Sequence, residues 1–338
     1  MFWGREPALS ITEVWNAPMS TTLSSPRTPP SELPRGGSAS KDSIAHARRR
    51  RFRPYLVLAP ALILTIGIFI PFIAAICLSF TDYSLNSSDV SFIGFDNYLS
   101  MLQSSDFWHS LWITIEYAFL CTAVEMLLGV GVALLLNDEN IVARFLRIVL
   151  IFPLMIAPVI GTLIWKLITN PSVGILVGPM RMIGLGDFKW AASPDSAMFS
   201  LVVVDAWVYT PFVIILVLAG LRSLPKSPYE AALIDGGSPW FVFKNLTLPM
   251  LAPVLLITLV FRLMLSLQEF SIIFALTEGG PGDATMSLSL QAYNRAFPFY
   301  GLAEAIPMML FLWALVYFVS FILIGFWRRA QQRAAGVA

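Results

Sequence analysis

A chain of 338 residues that is 57% hydrophobic, only 13% charged and has a mean hydropathy of +0.73 is not an ordinary soluble domain, in which about 25% of residues carry charge. Two cysteines, Cys77 and Cys121, both in apolar runs, exclude a disulfide framework. Two distant histidines, His46 and His109, argue against a metal cluster, and a net charge of +1 matters less than where the charges lie.

Residues 1–47 are rich in Ser, Pro, Thr and Gly and read as a disordered cytoplasmic tail without the apolar centre of a secretory signal. Met19 opens a more ordinary polar tail and is an alternative translation start. The run Arg48-Arg49-Arg50-Arg51-Phe52-Arg53 abuts an apolar segment. It therefore reads as the positive flank of a membrane helix rather than a nucleic-acid patch. Six stretches then reach the roughly 20 apolar residues that a membrane helix needs: 55–80, 110–136, 145–168, 197–220, 250–276 and 303–326. The third and fourth are interrupted by Lys166 and Asp205. Together they predict an all-α integral membrane protein with a six-helix domain over 48–330 and a short tail over 331–338.

Loop charges predict the orientation. On the side of both tails and of the loops near 137–147 and 221–249 lie thirteen cations. They are Arg48 to Arg51, Arg53, Arg144, Arg147, Arg222, Lys226, Lys244, Arg328, Arg329 and Arg333. The other side has three, Arg181, Lys189 and Arg295. Both tails are thus expected in the cytoplasm.

Between the fourth and fifth spans lies a polar island, Ser227 to Pro239. Ser227 followed by Pro228 and Glu230 reads as a helix start with a capping box. Gly236-Gly237 reads as a break that uses positive φ, and Ser238-Pro239 as a second start. The island resembles the EAA loop of permeases in binding-protein-dependent ABC importers: Glu230, Ala231, Ala232, then Gly236, then Leu246, Leu248 and Pro249. The segments Phe92 to Tyr98, Trp207 with Thr210-Pro211-Phe212, and Leu276 to Gly282 with Thr285 are similar to those of maltose-transporter-type sugar permeases. Glu278 stands where relatives often carry glycine. The resemblance implies the type I ABC importer permease architecture, with a coupling helix at Glu230, Ala231, Ala232, Asp235, Gly236 and Pro249. It also implies a second homologous permease, two ATPase subunits that use ATP and magnesium, an extracytoplasmic solute-binding protein and a carbohydrate substrate.

Glu116, Glu125, Lys166, Asp205, Arg262 and Glu269 lie in or near the spans. Such charges face a bundle interior or a wet cavity. Glu116 and Lys166 lie toward span ends, where an interfacial position suffices. Arg262 can pair with Glu125 or Asp205. Tyr209 and Thr210 in the fourth span, with Gln268 and Glu269 in the outer half of the fifth, offer the hydrogen-bonding and aromatic groups that a sugar pathway needs. Interhelical hydrogen bonds are the competing role for Tyr209 and Gln268.

No phosphate loop is present: Gly36-Gly37-Ser38-Ala39-Ser40-Lys41 lacks the required spacing. The chain itself is therefore expected to bind no cofactor and hydrolyse no ATP. An ion-gradient transporter is the alternative, although no internal repeat supports it. A membrane-embedded enzyme would need a clustered catalytic set, and none is visible.

Overall fold

The computed structural model describes residues 41–87, 89–138 and 140–334. The tail before residue 41, Met19 within it, and the last four residues lie outside the described residues. The chain divides into two units, residues 1–66 and 67–338. Helix α1, Lys41–Leu78, begins in the first and ends in the second. Among the described residues there is no strand, only an isolated bridge between Thr81 and Phe92. The expected boundaries at 47/48 and 330/331 both fall inside helices, because α1 starts at Lys41 and the last helix ends at Ala334.

Five helical segments are long and apolar enough to cross a membrane alone: Leu58–Leu78, Ser105–Leu135, Pro194–Ser223, Pro239–Leu267 and Leu302–Gln332. The third expected span is not one helix. It is α4 (Ile141–Ile151), a tight turn over Phe152–Met155 and α5 (Pro158–Ile168), bent by 97°. Pro153 and Pro158 explain the bend. Each lacks an N–H to donate, and Pro158 biases Ala157 to an extended backbone, φ −58° and ψ 129°.

The second span is α3 (Ser105–Leu135), preceded by α2 (Asp96–Gln103). The short α6 covers Val177–Met182, and the fourth span is α7 (Pro194–Ser223). The island forms α8 (Ser227–Ile234) and α9 (Pro239–Val242). A π turn over Phe243–Thr247 then leads into α10 (Leu248–Leu267). The fifth span was expected to run to residue 276. It stops at Leu267 instead, and a separate helix α11 covers Ser271–Leu276. Helix α12 covers Leu288–Ala296 and α13 Leu302–Ala334.

Helix α3 runs through all three apolar clusters. Phe107, Leu111 and Ala118 pack with Leu288 of α12 and Leu312 of α13. Tyr117 and Cys121 pack with Leu201 and Val204 of α7 and Ile272 and Ile273 of α11. Ala133 packs with Val213 and Val217 of α7 and Leu251 of α10. Of the membrane-length helices in this unit α7 is the most enclosed, with 61% of its apolar window buried against 17% for α13. A helix that is apolar all round belongs in such a central place.

The loops are tied down by their own polar side chains. Buried Asn97 donates to the carbonyls of Ser79 and Thr81 at 2.9 and 2.8 Å. Ser91 donates to Asp82 through its hydroxyl and its N–H, which holds that carboxyl below the usual range. After α11, Thr285 Oγ1 donates to Thr277 Oγ1 at 2.8 Å, and Gly279 adopts φ +88°.

Glycine permits the closest helix approach. A Cβ on Gly129 would lie 2.5 Å from Val213 Cγ1, whereas one on Gly131 meets nothing within 4 Å. Gly129→Leu should lower stability by about 1–3 kcal/mol through overpacking, and Gly131→Leu should be tolerated. Thermal unfolding of the two purified variants in detergent checks the difference.

Candidate functional site

Three helices each present polar groups at helical spacing to one point inside the bundle. Helix α3 contributes Tyr117, Cys121 and Glu125, at i, i+4 and i+8, and α7 contributes Asp205 and Tyr209, at i and i+4. Helix α10 contributes Arg262 and Ser266, with Glu269 just past its end. This period keeps them on one face of each helix.

At the centre is Arg262, fully buried, as are Glu125 and Asp205. Its guanidinium pairs with both carboxylates, with Nη2 to Glu125 Oε1 at 2.6 Å. Nη1 has no partner among the described residues. The Tyr117 hydroxyl donates to Asp205 Oδ1 at 2.9 Å. The Tyr209 ring lies under the guanidinium, 4.3 Å from Cζ to ring centre, a cation–π arrangement. The Tyr209 hydroxyl donates to Glu269 Oε2 at 3.4 Å, while Glu269 Oε1 accepts the Ile272 N–H at 3.0 Å at the start of α11. One cation thus faces two carboxylates, with Glu269 as a third acid at the edge. The cluster holds α3, α7 and α10 together and leaves Tyr209 and Glu269, both only partly buried, at its edge.

Of the four residues expected in a pathway, the structure brings two together, Tyr209 and Glu269. Thr210 points elsewhere. It lines an apolar cavity of about 760 Å³ with Leu120, Val124, Trp207 and Pro211. The exposed Gln268 folds its Nε2 back onto the Met264 carbonyl at 3.0 Å. Both Gln268 and Glu269 lie in the break between α10 and α11 rather than within a continuous span. The pairing of Arg262 was legible as a choice between two acids, and the structure uses both. Tyr117 was not singled out, although its place eight residues before Glu125 was the available signal. Lys166 reaches the Ala275 carbonyl at 3.1 Å and Glu278 at 3.4 Å, at the end of its span as expected.

The island is the second candidate element. Helix α8 is exposed at Glu230, Ala231, Leu233, Ile234 and Asp235. Its N-cap is Lys226, with helical φ −77° and ψ −30°, and no side chain caps it. Ser227 is therefore already inside the helix, and the expected capping box does not form. The far end is as expected. Gly236 takes φ +73° and donates to the Leu233 carbonyl at 3.2 Å, and Gly237 donates to the Ala232 carbonyl at 2.8 Å. That pair of bonds is a Schellman motif. Ser238 then accepts the Phe241 N–H at the start of α9. Tyr229 Oη bonds Thr247 Oγ1 at 3.2 Å and pins α8 to the foot of α10, where exposed Pro249 sits in the first turn. Leu233 and Ile234 are 75% and 86% exposed and Trp240 70%, an apolar protrusion at the end of two spans.

A family model for the inner membrane component of binding-protein-dependent transport systems matches residues 125–335. The chain belongs to this family. The match runs from Glu125 of the buried cluster through the island to the end of α13, and makes the protein a multi-pass inner-membrane component. The trehalose/maltose transport system permease protein MalF of Thermococcus litoralis is 35% identical over 277 residues, 81% of this chain and 94% of that one. The sn-glycerol-3-phosphate transport system permease protein UgpA of Shigella flexneri is 31% identical over 270 residues, 79% and 91% of the two chains. In fold, the chain is similar to a subunit of a bacterial ABC transporter involved in the import of the acidic polysaccharide alginate. The TM-score is 0.74 at 22% identity, over 85% of this chain and 98% of that one.

Removing Arg262 strands two buried carboxylates, so Arg262→Met should cost about 3–5 kcal/mol. Neutralising both acids as well, with Glu125→Gln and Asp205→Asn, should recover part of the loss. Midpoints of thermal aggregation for the single and triple variants provide the comparison.

Proposed function

We propose that this chain is the transmembrane subunit of an ATP-driven carbohydrate importer. It would form half of an alternating-access pathway and couple to separate ATPase subunits. The observation that carries the reading is the connectivity of the island. Helix α7 ends at Ser223 and α8 starts at Ser227, while α9 passes directly into the span containing α10. Helices α7 and α10 carry Asp205, Tyr209 and Arg262. A force on α8 is therefore delivered to two of the three helices that hold the cluster. Asp205 lies 18 residues before Ser223, about 27 Å of helix at 1.5 Å per residue, so the coupling is mechanical and long-range.

The partners follow from that reading. An ATPase subunit receives α8: Leu233, Ile234 and Trp240 supply apolar surface, and Glu230 sits in the first turn, where a carboxylate is favoured. ATP and magnesium act on the ATPase pair, a second homologous permease completes the pathway, and a solute-binding protein delivers the sugar from outside. Both tails lie in the cytoplasm, in keeping with the thirteen-to-three loop cations. For the substrate, Tyr209 offers a ring and a hydroxyl and Glu269 an acceptor. This mix suits sugar hydroxyls and C–H faces. The names of the relatives, which span disaccharides and a polyol phosphate, support carbohydrates and related polyols as the class.

Two measurements test this in proteoliposomes with the co-expressed partners. Gly236→Val should insert normally but hydrolyse ATP without accumulating sugar, because a β-branched residue is strained at φ +73°. Glu269→Ala should raise the uptake KM about tenfold or more, the weight of a hydrogen bond to a charged group. Uptake that persists with the ATPase subunits omitted would sink the proposal in favour of an ion-driven carrier.

A further inference from the structure

At the end of the bundle opposite the island, where α3 and α13 begin, lies a second and larger cavity of about 810 Å³. It falls within the roughly 300–1,000 Å³ of ligand pockets. It is lined from α2, from the starts of α3 and α13, and from α12 with the loop before it. None of the Arg262 cluster takes part.

The cavity carries more acid than base, with Asp106, Asp283 and Glu304 against Arg295. Gln291 is part of the wall, and its buried Oε1 has no partner among the described residues. Among the described residues, Asp106 and Asp283 enter no ion pair; Asp106 accepts only from its neighbour Ser105. The cavity's guanidinium, Arg295, is half-exposed and pairs with Glu304, Nε to Oε2 at 2.6 Å. Asn294 spends its amide on the Met286 sulfur at 3.7 Å. The net negative walls thus disfavour an anion, and the two free carboxylates offer acceptors to a ligand rich in O–H donors. The acids and histidine of the described residues form no group that would hold a metal ion. Between the polar groups, Met101, Met286, Met308 and the exposed ring of Phe299 supply apolar surface for C–H faces.

We propose that this cavity is a landing site for a neutral, hydroxyl-rich saccharide on the outer face, separate from the buried cluster. The inference rests on the carbohydrate reading above. Saccharide occupies it before the pathway opens, donating hydroxyls to the Asp106 and Asp283 carboxylates, with the side chain of Gln291 as a further polar contact in the wall. Phosphorylated and carboxylated sugars are discriminated against at this point.

The test uses the complete importer, first in uptake of glucose, maltose, trehalose, maltotriose and sn-glycerol 3-phosphate. Import of no neutral saccharide overturns the carbohydrate reading and the landing site with it. Otherwise Ser105→Cys, at an exposed wall position, is placed in a Cys77→Ser background because Cys77 is exposed. It is labelled with an impermeant maleimide in the absence of binding protein. The imported neutral saccharide, at millimolar concentration, should slow labelling at least about threefold, and sn-glycerol 3-phosphate should not. Gln291→Leu should abolish the protection, and so should Asp283→Asn. The latter sits on an exposed turn and keeps the test valid if the first variant misfolds. Glu269→Gln, in the buried cluster, should leave it intact. No protection, with uptake present, overturns the landing site alone. Protection only by added binding protein makes the cavity a protein-docking surface, and protection by spermidine instead of saccharide makes it a cation site. Either result overturns the proposal.

Discussion

The arrangement depends on one guanidinium held between two carboxylates where water is scarce. Arg262 joins α10 to α3 through Glu125 and to α7 through Asp205, with all three side chains buried. A charge inside a bilayer is costly, and so is a charge inside a protein that lacks its partner. Each charge is therefore acceptable only while the three helices stay in register. The apolar clusters above and below cannot impose that condition, because dispersion packing tolerates small slides. A bidentate ion pair does not.

The same constraint connects the ends of the molecule. Helices α7 and α10 leave the cluster and meet in the island, where α8 is pinned by Tyr229 on Thr247 and closed by the glycine turn at Gly236. In the proposed function this short helix at the junction of two spans would act as a lever, where a flexible loop would absorb the same force. At the opposite end, α3, α12 and α13 open into a cavity in which Asp106 and Asp283 enter no ion pair among the described residues. Polar capacity is thus distributed in two ways. In the middle most of it is used in holding helices, apart from the buried Nη1 of Arg262. At the end away from the island, two carboxylates are left outside any ion pair of the described residues.

Much of this was legible in the sequence. Long apolar runs marked the spans because a backbone in lipid must satisfy its own hydrogen bonds. Five of the six appear as single segments of membrane-crossing length. The sixth failed for a reason written in the chain, Pro153 and Pro158, which an apolar count does not register. The capping box at Ser227 also failed. A cap depends on the φ and ψ of the residue that holds it, and Lys226 had already entered the helix. Gly236 succeeded because a positive φ narrows the choice of residue strongly.

The candidate pathway was half legible. Tyr209 and Glu269 converge, but Thr210, next to Tyr209, necessarily faces about 100° away around the helix and lines an apolar cavity. Gln268 turns back on its own helix at the break. The sequence by itself determined the fold class, five of the six apolar segments as single helices of membrane-crossing length, the island with its glycine turn, and the presence of charges that needed partners. Those features rest on local chemistry: hydropathy, period and backbone freedom. Only the tertiary structure decided that Arg262 serves both acids, that Tyr117 joins them, that α10 breaks before Glu269, and that an acceptor-rich cavity forms around Gln291. Each of these depends on groups more than fifty residues apart, or on a backbone turn set by them, and no local pattern encodes which distant side chain will arrive.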